Sequence, residues 1–405
     1  MLRTSLLLVL VLPFAVRAED WPQWRGPGAA GVSTERNLPV RWSGGENVKW
    51  KVPLQGAGVS CPVVWRDRIF LTASTGRNND QLHVTCHARK DGALLWHTRL
   101  LGTTPTDLFA PGGMAVPTPA TDGERVYVLF GTGDLAALDL EGRPVWVRSL
   151  AEEYGPFRNR WGMGTSPILV DDLLIVQVDH WSQSYLLGVD RKTGKNRWKT
   201  DRDTAVNWTS PLPIKGKGAT QLVAFGTYKA RGYDAATGKE LWSVDGLHQQ
   251  CIPSPVPAGD LVIATSGVSS VGIRLDGKTG DITGSNVVWT NKKAAAFLPS
   301  PVSYDGLIYL PGDKGIVLCL EAKSGKQVWK ERLGGSYYAS PVAGDGKVYF
   351  SSKEGVVYVV KAGRAFETLA ENDLGEGIVA SPAVSGGAIF LRGEKHLFCI
   401  ADHVR

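Results

Sequence analysis

The sequence predicts an all-β protein, an eight-bladed β-propeller of four-stranded antiparallel blades whose ring is closed by a strand near the N-terminus. Three observations predict it. The composition suits short strands and tight turns, one motif recurs eight times, and the last unit lacks a fourth strand that the start of the chain can supply.

The composition comes first. The 405 residues include 48 glycines, 23 prolines and 14 tryptophans. Gly and Pro punctuate many short segments, and aromatic side chains favour strands over helices. With 43% hydrophobic and 21% charged residues the chain is neither disordered nor a polytopic membrane protein. Its 45 basic and 39 acidic residues are spread along the chain. Without a block of Lys and Arg to grip phosphates, nucleic acid is not an expected partner.

The repeat sets the blade count. A small residue, Pro and an apolar residue open each unit, with prolines at Pro62, Pro119, Pro167, Pro211, Pro255, Pro301, Pro341 and Pro382. They lie 40 to 57 residues apart, the period of a four-stranded blade. An Asp-Gly-type turn and an apolar strand follow, as in Asp122-Gly123 and Arg125 to Phe130. After a third strand, a Thr-Gly-like turn precedes a strand centred on Trp. The turns hold Gly92, Gly142, Gly194, Gly238, Gly280 and Gly325, and the tryptophans are Trp96, Trp146, Trp198, Trp242, Trp289 and Trp329. These tryptophans are expected in the core between blades. Blade 7 departs, with Phe366-Glu-Thr-Leu369 in place of the Trp strand.

Eight openings imply eight blades, yet the chain ends before the fourth strand of blade 8. Lys49-Trp50-Lys51-Val52-Pro53-Leu54 has the Trp-to-Leu offset of a fourth strand and precedes the first opening. Residues 48–54 should therefore complete blade 8 and remove the unpaired sheet edges. The expected domains are a signal peptide (1–18), an N-terminal extension (19–45) and a single propeller (46–405). The signal reading rests on Arg3, an apolar stretch from Leu6 to Val16 and the small Ala18. The stretch is too short to span a bilayer. With no Cys at the cleavage site, the mature protein is expected to be exported, periplasmic or extracellular, without a transmembrane segment or lipid anchor, and monomeric. Cys86 and Cys319 fall in a slot that Ala136, Gly188 and Gly232 fill in other units, so they are expected as small buried hydrophobes.

Leu186-Leu-Gly-Val-Asp190-Arg-Lys-Thr-Gly-Lys195-Asn-Arg-Trp198 and Asp234-Ala-Ala-Thr-Gly-Lys-Glu-Leu-Trp242 resemble the PQQ-like, tryptophan-docking propeller repeat. The resemblance covers roughly residues 46–405. Asp20-Trp-Pro-Gln-Trp-Arg-Gly-Pro27 resembles the start of exported single-domain, BamB-like members. It implies one of two roles. One branch comprises quinoprotein dehydrogenases with PQQ and Ca²⁺ in the central funnel; the other comprises cofactor-free scaffolds of the cell envelope. The enzymes are much longer and often carry adjacent cysteines beside the quinone, and no two cysteines are adjacent here. Nor do scattered acids such as Asp107, Glu152 and Asp203 form a calcium cluster in sequence. The expected function is thus a non-enzymatic scaffold or binding module for a protein or polymer, without a cofactor. The alternatives are a PQQ-dependent oxidoreductase and a carbohydrate-binding propeller.

In a propeller, the connections entering each blade and the second-to-third strand loops share the face around the funnel mouth. The incoming connections carry Arg158, Arg160 and Trp161 (blade 3), Trp208 (blade 4), Gln249 and Gln250 (blade 5), and Tyr337 and Tyr338 (blade 7). The loops add His180, Trp181 and Lys229. Aromatic platforms beside amides and cations suit a sugar, a planar anion or an extended peptide. No catalytic residue and no metal ligand is assigned; His83 and His87 share a strand face, but no third ligand accompanies them.

Overall fold

The structure, a computed structural model, describes residues 18–44, 46–104, 112–216, 218–312 and 314–402. The expected signal segment, apart from Ala18, lies outside them, as does Asp107. Eight sheets form the blades. Blade 1 has strands Val63–Trp65, Arg68–Thr75, Gln81–Ala88 and Leu94–Leu101, paired antiparallel in chain order. The ring closes as its sequence implies. Val48–Pro53 pairs antiparallel with His396–Ile400, setting Trp50 opposite Cys399 in blade 8.

Burial falls from the axis outward. Every residue of Leu173–Val178 in blade 3 is buried, because both faces of a second strand pack against neighbouring blades. The outer strand Val48–Pro53 alternates half-buried and exposed, the pattern of a sheet with one wet face.

The repeat tryptophans do more than fill the core. Each indole N–H reaches the turn of the next blade: Trp50 donates to Arg89 O (3.0 Å), Trp96 to Leu140 O (2.7 Å), Trp146 to Arg191 O (3.1 Å), Trp198 to Ala235 O (3.1 Å), Trp289 to Ala322 O (2.9 Å) and Trp329 to Gly363 O (3.1 Å). Trp50, Trp96, Trp146 and Trp198 stay half-buried, because they cap the rim rather than sit in the interior. The turn glycine makes room for the ring. At Gly194 the backbone has φ +73°, and a Cβ would stand 2.7 Å from the Trp146 indole, so Gly alone meets both demands.

One junction breaks the pattern. Trp242 donates to Gln221 Oε1 in its own blade, at 3.0 Å. Gly280–Asp281, expected to hold a tight hairpin turn, instead pairs parallel with Trp242 and Ser243 as a fifth strand on blade 4. A second correction concerns the small-residue slot. The register sets Ala137, not Ala136, opposite Trp146. Cys86, Gly188, Gly232, Cys319 and Cys399 take that slot elsewhere. All five cysteines are free and buried.

The segment expected as an N-terminal extension (19–45) is bonded to the inner strands of the ring. Trp21 exchanges both backbone hydrogen bonds with Val64 of blade 1 (2.7 and 2.9 Å), and Pro22 O accepts from Thr121 of blade 2. Gln23 Oε1 accepts from Leu169 N–H of blade 3 (2.9 Å), and Arg25 Nη2 donates to Pro301 O of blade 6 (2.6 Å). Ala29 packs in the blade 4 cluster, and Val32 bridges to Ala343 of blade 7. Trp21, Gln23 and Arg25 are buried. This stretch lies across the inner strands and forms the floor of the axial channel.

Candidate functional site: the axial cavity and its mouth

The eight blade-opening residues do chemistry that the repeat alone does not announce. Each donates its backbone N–H to the side chain of the next: Thr118 to Ser166, Ser166 to Ser210, Ser210 to Ser254, Ser254 to Ser300, Ser300 to Ser340 and Ser340 to Ser381, all at 2.9–3.0 Å. Ser381 N–H then reaches Cys61 Sγ (3.2 Å), and Cys61 N–H returns to Thr118 Oγ1 (3.0 Å). The chain of hydrogen bonds closes on itself around the axis. Proline explains the motif: it keeps the preceding residue extended, and it offers no competing N–H.

Above this ring lies a cavity of about 410 Å³. Its wall takes at least one residue from the incoming connection of every blade. Trp161, Trp208, Phe297 and Tyr338 supply aromatic surface; Val59, Val116, Ile252 and Val379 supply aliphatic surface. Ser210, Ser254, Ser300, Ser340, Ser381 and Cys61 line it below, and Trp24 enters from the floor segment. Among the described residues no carboxylate lines this wall.

The candidate residues divide. Trp161, Trp208, Gln250 and Tyr338 come together on the cavity wall. Trp208 is held by Nε1–H to Gly162 O (2.8 Å) and by its backbone N–H to Cys251 O. Arg160 lies over the Trp161 ring (5.3 Å) and Lys353 over Tyr338 (5.3 Å). Arg158 and Gln249 are exposed beside the mouth, as is Trp181. Three expectations fail or weaken. Tyr337 is fully buried against Phe350 in the core of blades 6 and 7, because alternate residues of an extended segment face opposite ways. His180 is buried, and its Nδ1 accepts from Arg158 N–H (3.2 Å) and faces Ser182 Oγ (3.0 Å), so it braces the loop. Burial, then the nearby Arg158 charge, lowers its pKa. Lys229 is paired with Asp245 at 3.1 Å, away from the cavity.

Sequence reading missed the hydroxyl ring, Trp24 and Arg25. The Ser of each Ser-Pro was in view as a repeat marker, but its partner lies some 40 residues away. His83 does find a histidine, though not His87: its Nδ1 lies 2.9 Å from His97 Nε2, while His87 Nδ1 faces Gly92 O. Among the described residues no three of His, Cys, Asp and Glu converge as a metal site.

A family model described as outer membrane protein assembly factor BamB matches residues 32–180 and 182–402. The chain belongs to this BamB-type, PQQ-like propeller family. Solved structures agree on the fold. BamB from Moraxella catarrhalis aligns with TM-score 0.62 at 13% identity, over 86% of this chain and 98% of that one. A europium-containing methanol dehydrogenase gives 0.65 at 12%, over 92% and 89%. Quinohemoprotein alcohol dehydrogenase from Comamonas testosteroni gives 0.66 at 14%, over 95% and 81%. No curated protein matches the sequence. A BamB and two dehydrogenases thus share this fold, and the fold does not discriminate between their roles.

Proposed function

We propose that this chain is an exported, non-enzymatic propeller of the cell envelope that binds a protein or polymer segment at the mouth of its axial cavity. The observation that carries the reading is a cavity whose described lining is largely apolar and holds no carboxylate, under a rim of exposed aromatic and basic side chains. Trp161 and Trp181 are each 55% exposed and Phe297 38%. Large apolar groups clustered on one face mark an interaction surface. Arg158 and Arg160 add donors for carboxylates on that face. The matching family's description as an assembly factor favours a protein partner.

The test is affinity capture from the native envelope with the native chain and with a W161A/R160A/Y338A variant. The variant should keep its melting temperature within a few degrees, because exposed side chains contribute little to stability, and should lose the partner. Retention of every partner by the folded variant would move the site elsewhere. PQQ-dependent turnover in the presence of Ca²⁺ and an artificial electron acceptor would overturn the non-enzymatic reading. Specific signals on a glycan array would favour the carbohydrate alternative.

A further inference from the structure

Two buried cations near the axis have no carboxylate partner among the described residues. Arg25 and Arg392 are each 3% exposed. Arg25 Nη2 donates to Ala30 O (3.1 Å) and Pro301 O (2.6 Å), the latter next to ring residue Ser300. Its Nε and Nη1 are buried without an acceptor. Arg392 Nη1 donates to Ser60 Oγ (2.7 Å), Ser60 O (3.2 Å) and Thr72 O (2.8 Å), beside ring residue Cys61, and its Nε has no acceptor. A buried guanidinium without a counter-charge is costly, so an anion nearby would stabilise both.

The lower cavity wall is built to receive one. Each ring hydroxyl accepts a neighbour's N–H, which leaves its own O–H hydrogen to be donated. Five ring serines line the cavity. The indole N–H of Trp24, also on the wall, is buried without an acceptor. Above these donors the wall is apolar.

We propose that the axial cavity takes a ligand with a single carboxylate on an apolar body. The carboxylate sits on the serine hydroxyls and the Trp24 N–H, within the field of Arg25 and Arg392, and the apolar body lies among Trp208, Ile252, Phe297 and Tyr338. This deepens the binding reading of the same site and rests on it. A free aliphatic or aromatic acid and the C-terminal carboxylate of a polypeptide ending in an apolar residue share this chemistry.

Tryptophan fluorescence and calorimetry on the full chain test it with matched probes. Dodecanoate is compared with dodecanol, and a short peptide ending in Phe as the free acid with its C-terminal amide. In at least one pair the carboxylate should bind more tightly than its neutral analogue by about tenfold or more, the worth of one charge-assisted contact; which pair does so assigns the source. Arg25→Gln should narrow that ratio while leaving dodecanol binding unchanged. If the variant does not fold, the ratio on the native chain still decides. Equal binding of acid and neutral probes, or no binding of either acid, overturns the proposal. Partner capture that a saturating amount of whichever acid binds fails to compete would sink it while leaving the rim-binding reading intact.

Discussion

At its floor the axial channel is closed by Trp21, Gln23 and Arg25, buried and bonded to three different blades. At its mouth, Trp161 and Trp181 stand 55% exposed on the incoming connection and loop of one blade. Both ends are framed by the same inner strands, so the ring itself does not impose the difference. It comes from what is laid across each end: a segment bonded to the inner strands below, and exposed aromatic side chains above. The floor is therefore read as stability and the mouth as recognition.

That contrast breaks first if the floor is dispensable. Deleting residues 19–54 removes the floor and the outer strand of blade 8, and should give an insoluble or protease-sensitive product. Deleting only residues 19–26, mild if this stretch were a loose extension, should also be severe. It removes Trp21, and one buried Trp costs about 3–5 kcal/mol of a net stability of about 5–15 kcal/mol. A soluble product with an unchanged melting temperature would disprove the floor.

The ring sharpens the comparison at an intermediate scale. Ser300→Ala leaves the Ser254 N–H without its acceptor and should cost about 1–3 kcal/mol in chemical denaturation. Cys61→Ser installs the residue that most other blades use and should shift stability by less than about 1 kcal/mol. Equal costs for the two would show that the hydrogen bonds do not matter to the ring.

The smallest effect belongs to the mouth. His180 accepts a proton less readily than its ordinary value of 6.5 implies, first because it is buried and then because of Arg158. As pH falls, the unfolded chain takes that proton first. The contribution of His180 is therefore full above about pH 6.5 and declines below it. Amide protection in residues 157–162 and 180–184, taken relative to the intrinsic exchange rate at each pH, should fall on acidification, and His180→Gln should weaken that dependence. A pH-independent protection factor would free His180 from its bracing role.

How much was legible varies with the range of the interaction. Ser-Pro spacing, turn glycines and outer-strand tryptophans announce the eight blades because each unit must solve the same local problem of turns and alternating burial. Residues 48–54 showed themselves as the missing strand by the same local signature. Trp161, Trp208, Gln250 and Tyr338 were legible as mouth residues because a blade-entering connection has only one place to go. Whether Tyr337 or Tyr338 faces the cavity was settled by the twist of the segment in the packed ring. The roles of Arg25, His180 and the serine hydroxyls depended on partners from 22 to 276 residues away. By itself the sequence determined the repeat, the closure and the face on which Trp161, Trp208, Gln250 and Tyr338 stand, since periodicity and turn chemistry are written within a single blade. Only the tertiary structure decided that residues 21–32 form a floor, that eight blade openings join into one ring, and that two cations stand beside it with no acidic partner among the described residues, because those facts arise only when all eight blades meet at the axis.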